Sequence, residues 1–227
     1  MDKKERIKEK NKKENKNLKE LFENVFFDNE EKKLYTKYLT KSSEELKEWN
    51  PYRSKIASAI LNGLKTFPFK KGSKILYLGV STGTTCSHIS DIISGKGIIY
   101  GIEFAERVFY SFLDLAKKRE NIVPIFADAR FPNNYFWVEE VDIVYCDIAQ
   151  PDEIEIAIRN ADIFLKKDGY LIIAIKSRSI DVTKDPEIIY KNEKSKIEES
   201  GYKILEMINL EPYEESHALV VCIKNKE

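Results

Sequence analysis

The chain has few cysteines and histidines, no excess of charge of either sign and no long apolar run. Its 227 residues include three cysteines and two histidines. Cys86, Cys146 and Cys222 are an odd number without close spacing, which indicates buried, reduced thiols of an intracellular protein and argues against a disulfide framework or a metal site. No run approaches 18 apolar residues, and no apolar segment follows the charged N-terminus. We therefore expect neither a membrane span nor a signal peptide, and a cytoplasmic location.

The balance of charge excludes a global electrostatic attraction to nucleic acid. Lysine and arginine number 38, aspartate and glutamate also 38, so the formal net charge is zero. A protein that acts on RNA would then need basic side chains placed locally, or partners that hold the RNA. The length and the 42% hydrophobic content fit one main domain with a small appendage.

Residues 75–85, ILYLGVSTGTT, form the most informative stretch. An apolar run that ends in glycine and small hydroxyl residues predicts a buried strand, a tight turn and a helix, a geometry that brings the backbone close to a bound nucleoside. The spacing G-x-x-x-G differs from the dinucleotide pattern G-x-G-x-x-G, which favours a cofactor without a pyrophosphate, such as S-adenosyl-L-methionine. The alternative is that the turn needs glycine for steric reasons alone and binds no ligand. The candidate cofactor-binding residues here are Gly79, Ser81, Gly83, Thr84 and Thr85.

Strands alternate with helices through most of the chain. The apolar runs predict strands at 74–79, 98–103, 122–127, 141–147, 170–176, 203–208 and 218–223. Helical patterns occupy 53–65, 84–93, 105–119, 152–165 and 186–200. This order predicts an α/β fold with a seven-stranded, mostly parallel sheet covered on both faces. The short connection 209–217 predicts an antiparallel last strand, the layout of a Rossmann-like class I methyltransferase.

Three segments are predicted along the chain. Residues 1–19 carry nine lysines or arginines against four acids, which favours a disordered tail or a frayed, solvated helix. Residues 21–39 alternate apolar and polar residues around the turn signal Asp28–Asn29, which predicts a β-hairpin or short meander ahead of the main domain, within a small N-terminal β unit at 20–50. The boundary Asn50–Pro51 then opens the predicted methyltransferase domain, 51–227.

Two acids follow predicted strands at the edge where ligands of open α/β sheets bind. Glu103 lies 24 residues after Gly79, close to the spacing at which a carboxylate accepts from both ribose hydroxyls. Asp128, in the sequence FADAR, suits the adenine amino group, with the backbone of Ala129 beside it. The alternatives are an exposed acid for Glu103 and a helix N-cap for Asp128.

Four further residues should share the same rim. Asp147 and Lys176 end adjacent predicted strands, where they either hold a substrate hydroxyl or form only an interstrand ion pair. Lys55 begins the helix before the first sheet strand, and His217 begins the antiparallel last strand, so topology brings both to this edge. Considered one at a time, Lys55 would be an ordinary surface lysine and His217 a histidine with part of its hydrogen bonding satisfied. The other histidine, His88, lies within a predicted helix and is interpreted as structural.

Six ordered blocks of sequence resemble a known family. They are SKILYLGVSTGTTCSHISDI, GIEF, NIVPIFADAR, VDIVYCDIAQPDE, IAIKSRSIDVTKDP and EPYEESHALVV. Together they resemble archaeal fibrillarin across residues 21–224. The resemblance implies a small N-terminal β domain and transfer of methyl groups from S-adenosyl-L-methionine to ribose 2′-OH groups of rRNA and tRNA within box C/D guide ribonucleoproteins.

The resemblance also implies roles for individual residues and partners. Matching cofactor-contacting positions are Thr84, Thr85, Glu103, Phe104, Asp128, Ala129, Asp147 and Gln150. The matching catalytic set is Lys55, Asp147, Lys176 and His217. Expected partners are a box C/D guide RNA with its rRNA or tRNA substrate, a Nop-type scaffold protein and a kink-turn-binding protein related to ribosomal proteins. The chain departs from the family pattern at two positions: an alanine precedes Asp128, and Cys146 precedes Asp147.

The sequence leaves the role of Lys176 and the function of the chain open to several interpretations. Lys176 either stabilises developing oxyanion charge while Asp147 orients it, or acts as the base itself with a lowered pKa. A basic lip for RNA is predicted from Arg53, Lys55, Lys176, Arg178 and Lys184. The chain could also be a stand-alone methyltransferase of the same fold, or an assembly subunit without activity. The missing G-x-G-x-x-G spacing argues against a nicotinamide dehydrogenase.

Overall fold

A small antiparallel sheet precedes the main body of the protein. The computed structural model describes residues 18–39 and 45–224. Four strands pair in chain order, namely β1 (Leu18–Phe22), β2 (Val25–Asp28), β3 (Lys33–Lys37) and β4 (Leu46–Glu48). The alternating stretch therefore forms strands as predicted. The predicted tail lies outside the described residues up to residue 17, whereas Leu18 and Lys19 pair with β2. The three-way domain division stays a prediction.

Seven strands build the second, larger sheet. They are β5 (Lys74–Leu78), β6 (Ile98–Glu103), β7 (Ile122–Phe126), β8 (Val141–Cys146), β9 (Leu165–Lys176), β10 (Tyr202–Asn209) and β11 (His217–Lys224). Their order is β10-β11-β9-β8-β5-β6-β7. The pairs among β5 to β9 are parallel, and β11 runs antiparallel to both of its neighbours. The predicted Rossmann-like sheet with an antiparallel last strand is confirmed.

Helices cover both faces of this sheet. They are α1 (Lys55–Leu61), α2 (Thr84–Ile93), α3 (Glu106–Ala116), α4 (Glu153–Phe164), the short α5 (Ser177–Ile180) and α6 (Pro186–Glu199). Along β5, Ile75 and Tyr77 pack in one apolar core and Leu76 and Leu78 in the other. A strand buried on both faces reads as a continuous apolar run, which explains why the sequence revealed it. Within the described ranges, no helix has the length and apolar character needed to cross a membrane.

Strand β9 differs most from its predicted bounds. The predicted strand began at residue 170, whereas the observed strand begins at Leu165. In the structure Leu165 already pairs with Val141, an irregularity in the pairing follows, and Tyr170 then pairs with Ile143. Asp168 takes a φ of 63°, so residues 166–169 form a distortion inside a strand that begins directly after α4.

Buried polar contacts join the small sheet to helix α2. The Thr36 hydroxyl lies 2.8 Å from His88 Nδ1, and the ring of Trp49 stacks on His88 at 4.9 Å. Lys47 Nζ lies 3.2 Å from the Asp91 carboxylate in α2. Burial, together with the charge of Lys47, lowers the pKa of His88 to about 2. His88 is therefore neutral and structural, as predicted.

Candidate functional site

A cavity of about 590 Å³ opens at the carboxyl ends of β5 to β9. The chain runs from β5 outward to β6 and β7, then returns to place β8 on the other side of β5, so the cavity lies at the topological switch point. The predicted residues that line it are Lys55, Gly79, Ser81, Thr84, Thr85, Glu103, Phe104, Asp128, Ala129, Asp147, Gln150 and Lys176. Gly83 and His217 complete the predicted set but are not among the lining residues.

The two glycines of the turn are required by close packing. Gly79 has a φ of 78°, and an added Cβ would come within 2.8 Å of Ile148 Cγ2 and 2.9 Å of the Asp147 carbonyl oxygen. Gly83, the N-cap of α2, has a φ of 86°, and its Cβ would lie 2.5 Å from Leu115 Cδ2. The steric explanation therefore accounts for both positions, and the same close approach brings the loop after β8 against the turn.

Glu103 anchors the turn from the end of β6. Its Oε2 accepts a hydrogen bond from the backbone N–H of Ser81 at 2.8 Å, and its Oε1 accepts from those of Phe104 at 3.0 Å and Ala105 at 2.9 Å. An exposed acid was the alternative interpretation, and it is wrong because Glu103 is buried. A carboxylate has about four acceptor positions, so roughly one remains for a ligand hydroxyl. Thr85 instead directs its hydroxyl to Ser54 at 3.0 Å.

Arg130 connects the two loops that follow β7 and β8. Its Nη2 donates to Gln150 Oε1 at 2.6 Å, and its guanidinium lies 3.4 Å from the carboxylates of both Asp128 and Asp152. Asp128 in turn accepts from the Arg130 backbone N–H at 2.9 Å, whereas Phe131 is the N-cap of the short helical turn that follows. The N-cap alternative for Asp128 is therefore wrong. Arg130 therefore adds to the predicted site residues, and its place in FADAR next to Asp128 and Ala129 is the signal that points to it.

Asp147 lies between two lysines on the cavity wall. Its Oδ1 is 2.7 Å from Lys176 Nζ and 3.2 Å from Lys55 Nζ. Lys176 also donates to the carbonyl oxygen of Ile148 at 2.5 Å, and Tyr145 donates to Asp147 Oδ2 at 3.4 Å. The carboxylate thus has two cations and a phenol around it, and the Lys176 ammonium is fixed by two oxygen atoms.

The charges of this cluster stabilise one another. Burial alone would raise the pKa of Asp147, but the Lys176 and Lys55 ammonium groups outweigh it and hold that pKa below its usual value. Burial would likewise lower the pKa of Lys55, yet the charges of Asp147 and Glu214 raise it. The aspartate is therefore ionised and Lys55 is protonated at neutral pH.

His217 shares the rim without joining the ion cluster. It lies opposite Lys176 in the β9–β11 pairing, which confirms that topology brings the two residues together. Its Nδ1 lies 2.6 Å from the Glu215 carbonyl oxygen. Since a carbonyl only accepts, Nδ1 carries the hydrogen, which leaves Nε2 of the neutral ring as an acceptor. Burial lowers the pKa of His217, and the charges of Lys55 and Lys176 act in the same direction.

The predicted basic lip is only partly assembled at the cavity. Arg53, Lys55 and Lys176 line it. Arg178 instead donates from Nε to the Ser216 hydroxyl at 3.2 Å, and Lys184 lies 3.1 Å from the Asp181 carboxylate. Of the five cations predicted for the lip, three therefore line the cavity, and the other two have local partners beyond it.

These features fit a nucleoside cofactor bound beside a reactive hydroxyl. The volume is in the range of small-molecule sites, and a buried acid with a spare acceptor position lies one strand away from the glycine turn. The ion cluster forms the next part of the same wall. Such an arrangement can bind a nucleoside at one end and orient a polar group for reaction at the other.

Comparisons with known proteins agree with this arrangement. The family model described as fibrillarin matches residues 7–226. A curated relative from Saccharolobus islandicus, named fibrillarin-like rRNA/tRNA 2′-O-methyltransferase, is 56% identical over 178 residues, which cover 78% of this chain and 77% of the relative.

Two solved structures are also similar along nearly the whole chain. The fibrillarin of Aeropyrum pernix, in complex with natively bound S-adenosyl-L-methionine, is 43% identical with a TM-score of 0.79, covering 88% of this chain and 93% of that one. A chain from a fibrillarin/Nop5p complex is 38% identical with a TM-score of 0.84, covering 91% of this chain and 100% of that one.

Proposed function

Because this chain belongs to the fibrillarin family, we propose that it methylates ribose 2′-OH groups of rRNA and tRNA, directed by a guide RNA within a box C/D ribonucleoprotein. The enzymatic activity follows from the curated relatives, which are 2′-O-methyltransferases. The observation that carries the proposal is the Lys55–Asp147–Lys176 cluster, which adjoins a cavity suited to a nucleoside.

The cofactor of this reaction is S-adenosyl-L-methionine, which a similar fibrillarin binds natively. When bound, it supplies a methyl group that a sulfonium has already activated. Glu103, with roughly one acceptor position left, would accept from a ribose hydroxyl of the cofactor, and Asp128 with the Ala129 backbone would hold its adenine. The turn from Gly79 to Thr85 and the side chain of Gln150 would enclose the rest. Arg130 supports this set, since it holds Gln150 and Asp128 in place.

The substrate hydroxyl must share or lose its proton as it reacts. The Lys176 ammonium, fixed by Asp147 and the Ile148 carbonyl, would stabilise the negative charge that develops on that oxygen. Asp147 would orient Lys176, because its pKa is held down and it binds both lysines as a carboxylate. His217 offers Nε2 as a neighbouring proton acceptor. Positioning and charge stabilisation then provide most of the catalysis.

Recognition of the RNA requires partners in this proposal. The chain has no net charge, and outside the ion cluster the described lining residues include two cations, Arg53 and Arg130. Arg130 is already paired with Asp128 and Asp152. Base pairing with a guide RNA would select the nucleotide. A Nop-type scaffold protein, such as the Nop5p found with a similar fibrillarin, would dock the enzyme. A kink-turn-binding protein would recognise the folded guide RNA.

Transfer of labelled methyl groups to a target RNA tests the proposal. The protein is assayed alone and with the guide RNA and both partner proteins, and the modified nucleotide is mapped. We expect one ribose 2′-OH to be methylated in the complete assembly only. Methylation by the protein alone would identify a stand-alone enzyme. Cofactor binding without transfer in either reaction would identify an assembly subunit.

A further inference from the structure

Glu153 is a buried acid directly behind Lys176. It is the first residue of α4 and has no exposed surface. Its Oε1 accepts a hydrogen bond from the Lys176 backbone N–H at 2.9 Å, and its own N–H donates to the Gln150 carbonyl oxygen at 3.2 Å. The glutamate thus joins the start of α4 to the end of β9, the point from which the Lys176 side chain extends to Asp147.

The second carboxyl oxygen of Glu153, Oε2, is buried without a hydrogen-bond donor from the described residues. An ionised carboxylate in that position would be strongly disfavoured, whereas a neutral carboxyl is tolerated. Burial accordingly raises the pKa of Glu153 to about 8, against the opposing N–H and charge of Lys176.

Charged and titratable groups surround Glu153 on several elements. They are Lys176 at the end of β9, Asp147 after β8, Cys146 in β8, Glu193 in α6 and Lys55 in α1. Asp147 and Glu193 both raise the pKa of Glu153. A negative charge on Glu153 would raise the pKa of Lys55 and of Cys146 in return. Ionisation of Glu153 would therefore change the electrostatic environment of Lys55, a member of the proposed catalytic cluster.

We propose that Glu153 is a positioning residue for methyl transfer: as a neutral carboxyl it fixes the end of β9 that carries Lys176, and its ionisation makes the site less active. This inference rests on the proposed function. The direction of the effect follows from charge. A carboxylate at this position repels negative charge that develops on the substrate oxygen, and it also raises the pKa of Lys55. Activity therefore falls on ionisation whether Lys176 stabilises the oxyanion or accepts the proton.

The test compares pH profiles of the wild type and Glu153→Gln in the reconstituted ribonucleoprotein. Glutamine keeps a carbonyl acceptor for the Lys176 N–H but does not ionise. Below about pH 7 we expect the wild type and Glu153→Gln to have similar single-turnover rates. At about pH 9, where the wild type has lost its neutral carboxyl, we expect the variant to be roughly tenfold faster. Parallel profiles over this range would overturn the proposal.

Two control variants make the assignment specific. Glu155→Gln alters an exposed acid of the same helix, paired with Lys196, and should leave the profile of the wild type unchanged. Glu193→Gln alters a second buried acid near Glu153, whose Oε2 also has no hydrogen-bond partner among the described residues. If the alkaline decrease disappears in Glu193→Gln and persists in Glu153→Gln, the titrating group is Glu193 and our assignment is wrong.

A second readout needs no methyl transfer. The backbone amide of Lys176 donates to Glu153, so its NMR chemical shift should titrate with a midpoint near 8 in the free wild-type protein and not in Glu153→Gln. Such a titration in an assembly that transfers no methyl group would support the position and protonation of Glu153 while refuting the proposed function. An amide shift that is independent of pH would refute the inference itself.

Discussion

His217 and Lys176 lie directly opposite each other in the antiparallel pair of β11 and β9. Lys176 ends its strand and His217 begins the other, so a histidine and a lysine far apart in sequence become neighbours at the cavity rim. Neighbouring positive charge and burial both disfavour the imidazolium form. The pairing therefore keeps a neutral ring beside an ion cluster that itself remains charged.

The histidines provide a direct measurement of this arrangement. The chain contains only two, which makes their NMR resonances simple to assign. We expect His217 to titrate with a midpoint below 6.5 and His88 not to titrate above about pH 3 while the protein stays folded. In Lys176→Met the midpoint of His217 should rise, because one nearby positive charge is lost. A midpoint that falls or does not move in this variant would contradict the proximity of the two groups.

Replacement of Lys176 should separate binding from transfer. Lys176→Met keeps an unbranched side chain one atom shorter and removes its charge, so we expect transfer to fall by at least a hundredfold, on the order of 3 kcal/mol in the barrier. Cofactor affinity, measured by calorimetry, should stay within a few-fold, because the cofactor contacts proposed above involve other strands. Lys203→Met, on an exposed position of β10, is the control. Equal losses of affinity and transfer would remove the catalytic assignment.

Glu103→Gln should weaken cofactor binding. Both oxygens of Glu103 accept backbone hydrogen bonds, so an amide NH₂ on either side would face an N–H donor. We expect the Kd for S-adenosyl-L-methionine to rise at least tenfold and the Tm to fall by several degrees, from a loss of about 1–3 kcal/mol. The exposed Glu120→Gln should change neither quantity. An unaltered Kd would contradict the proposed ribose contact.

Arg130→Met should affect binding more than chemistry. The guanidinium joins Asp128 to Gln150 and Asp152, and the loss of these hydrogen bonds would free both loops at the cavity. We expect the KM for the cofactor to rise about fivefold to thirtyfold, as for the loss of roughly 1–2 kcal/mol, with kcat nearly unchanged. A fall in kcat at unchanged KM would instead assign Arg130 to the reaction itself.

Two glycines allow backbone strain to be separated from close packing. Gly79→Ala and Gly63→Ala both place a Cβ at positive φ, but only the first meets other atoms, at 2.8 Å. We expect Gly63→Ala to lower the free energy of unfolding by about 1 kcal/mol and Gly79→Ala by about 2–3 kcal/mol more. Denaturant titration measures both. Equal losses would mean that the approach of Ile148 to the turn contributes nothing.

Much of the fold could be predicted from local sequence. Runs such as ILYL and VDIVYC are apolar because both faces of their strands are buried, and this pattern located the parallel sheet. The convergence of Lys55, Asp147 and Lys176 followed from topology, since the ends of parallel strands meet at one edge. The start of β9 could not be located this way, because a distorted strand and a turn share the sequence KKDG.

The supporting residues of the site could not be predicted either. Glu153 is an acid in the first turn of a helix, where acids are common and exposed, and its burial depends on the end of β9 packing over it. Arg130 follows a recognised aspartate, but its role depends on the distance between two loops that are separate in sequence. Both roles arise from tertiary packing, which a local pattern does not encode.

The position of β11 between β9 and β10 has a consequence for the order of folding. Within the described residues, β10 pairs only with β11, so it cannot join the large sheet until β11 is seated against β9. The strands that line most of the cavity pair with one another independently of this step. A folding chain can therefore assemble a nucleoside pocket before the β10–β11 hairpin docks, and His217 reaches Lys176 only with that docking. The proposed cofactor-binding residues can thus be in place before the proposed catalytic histidine joins them.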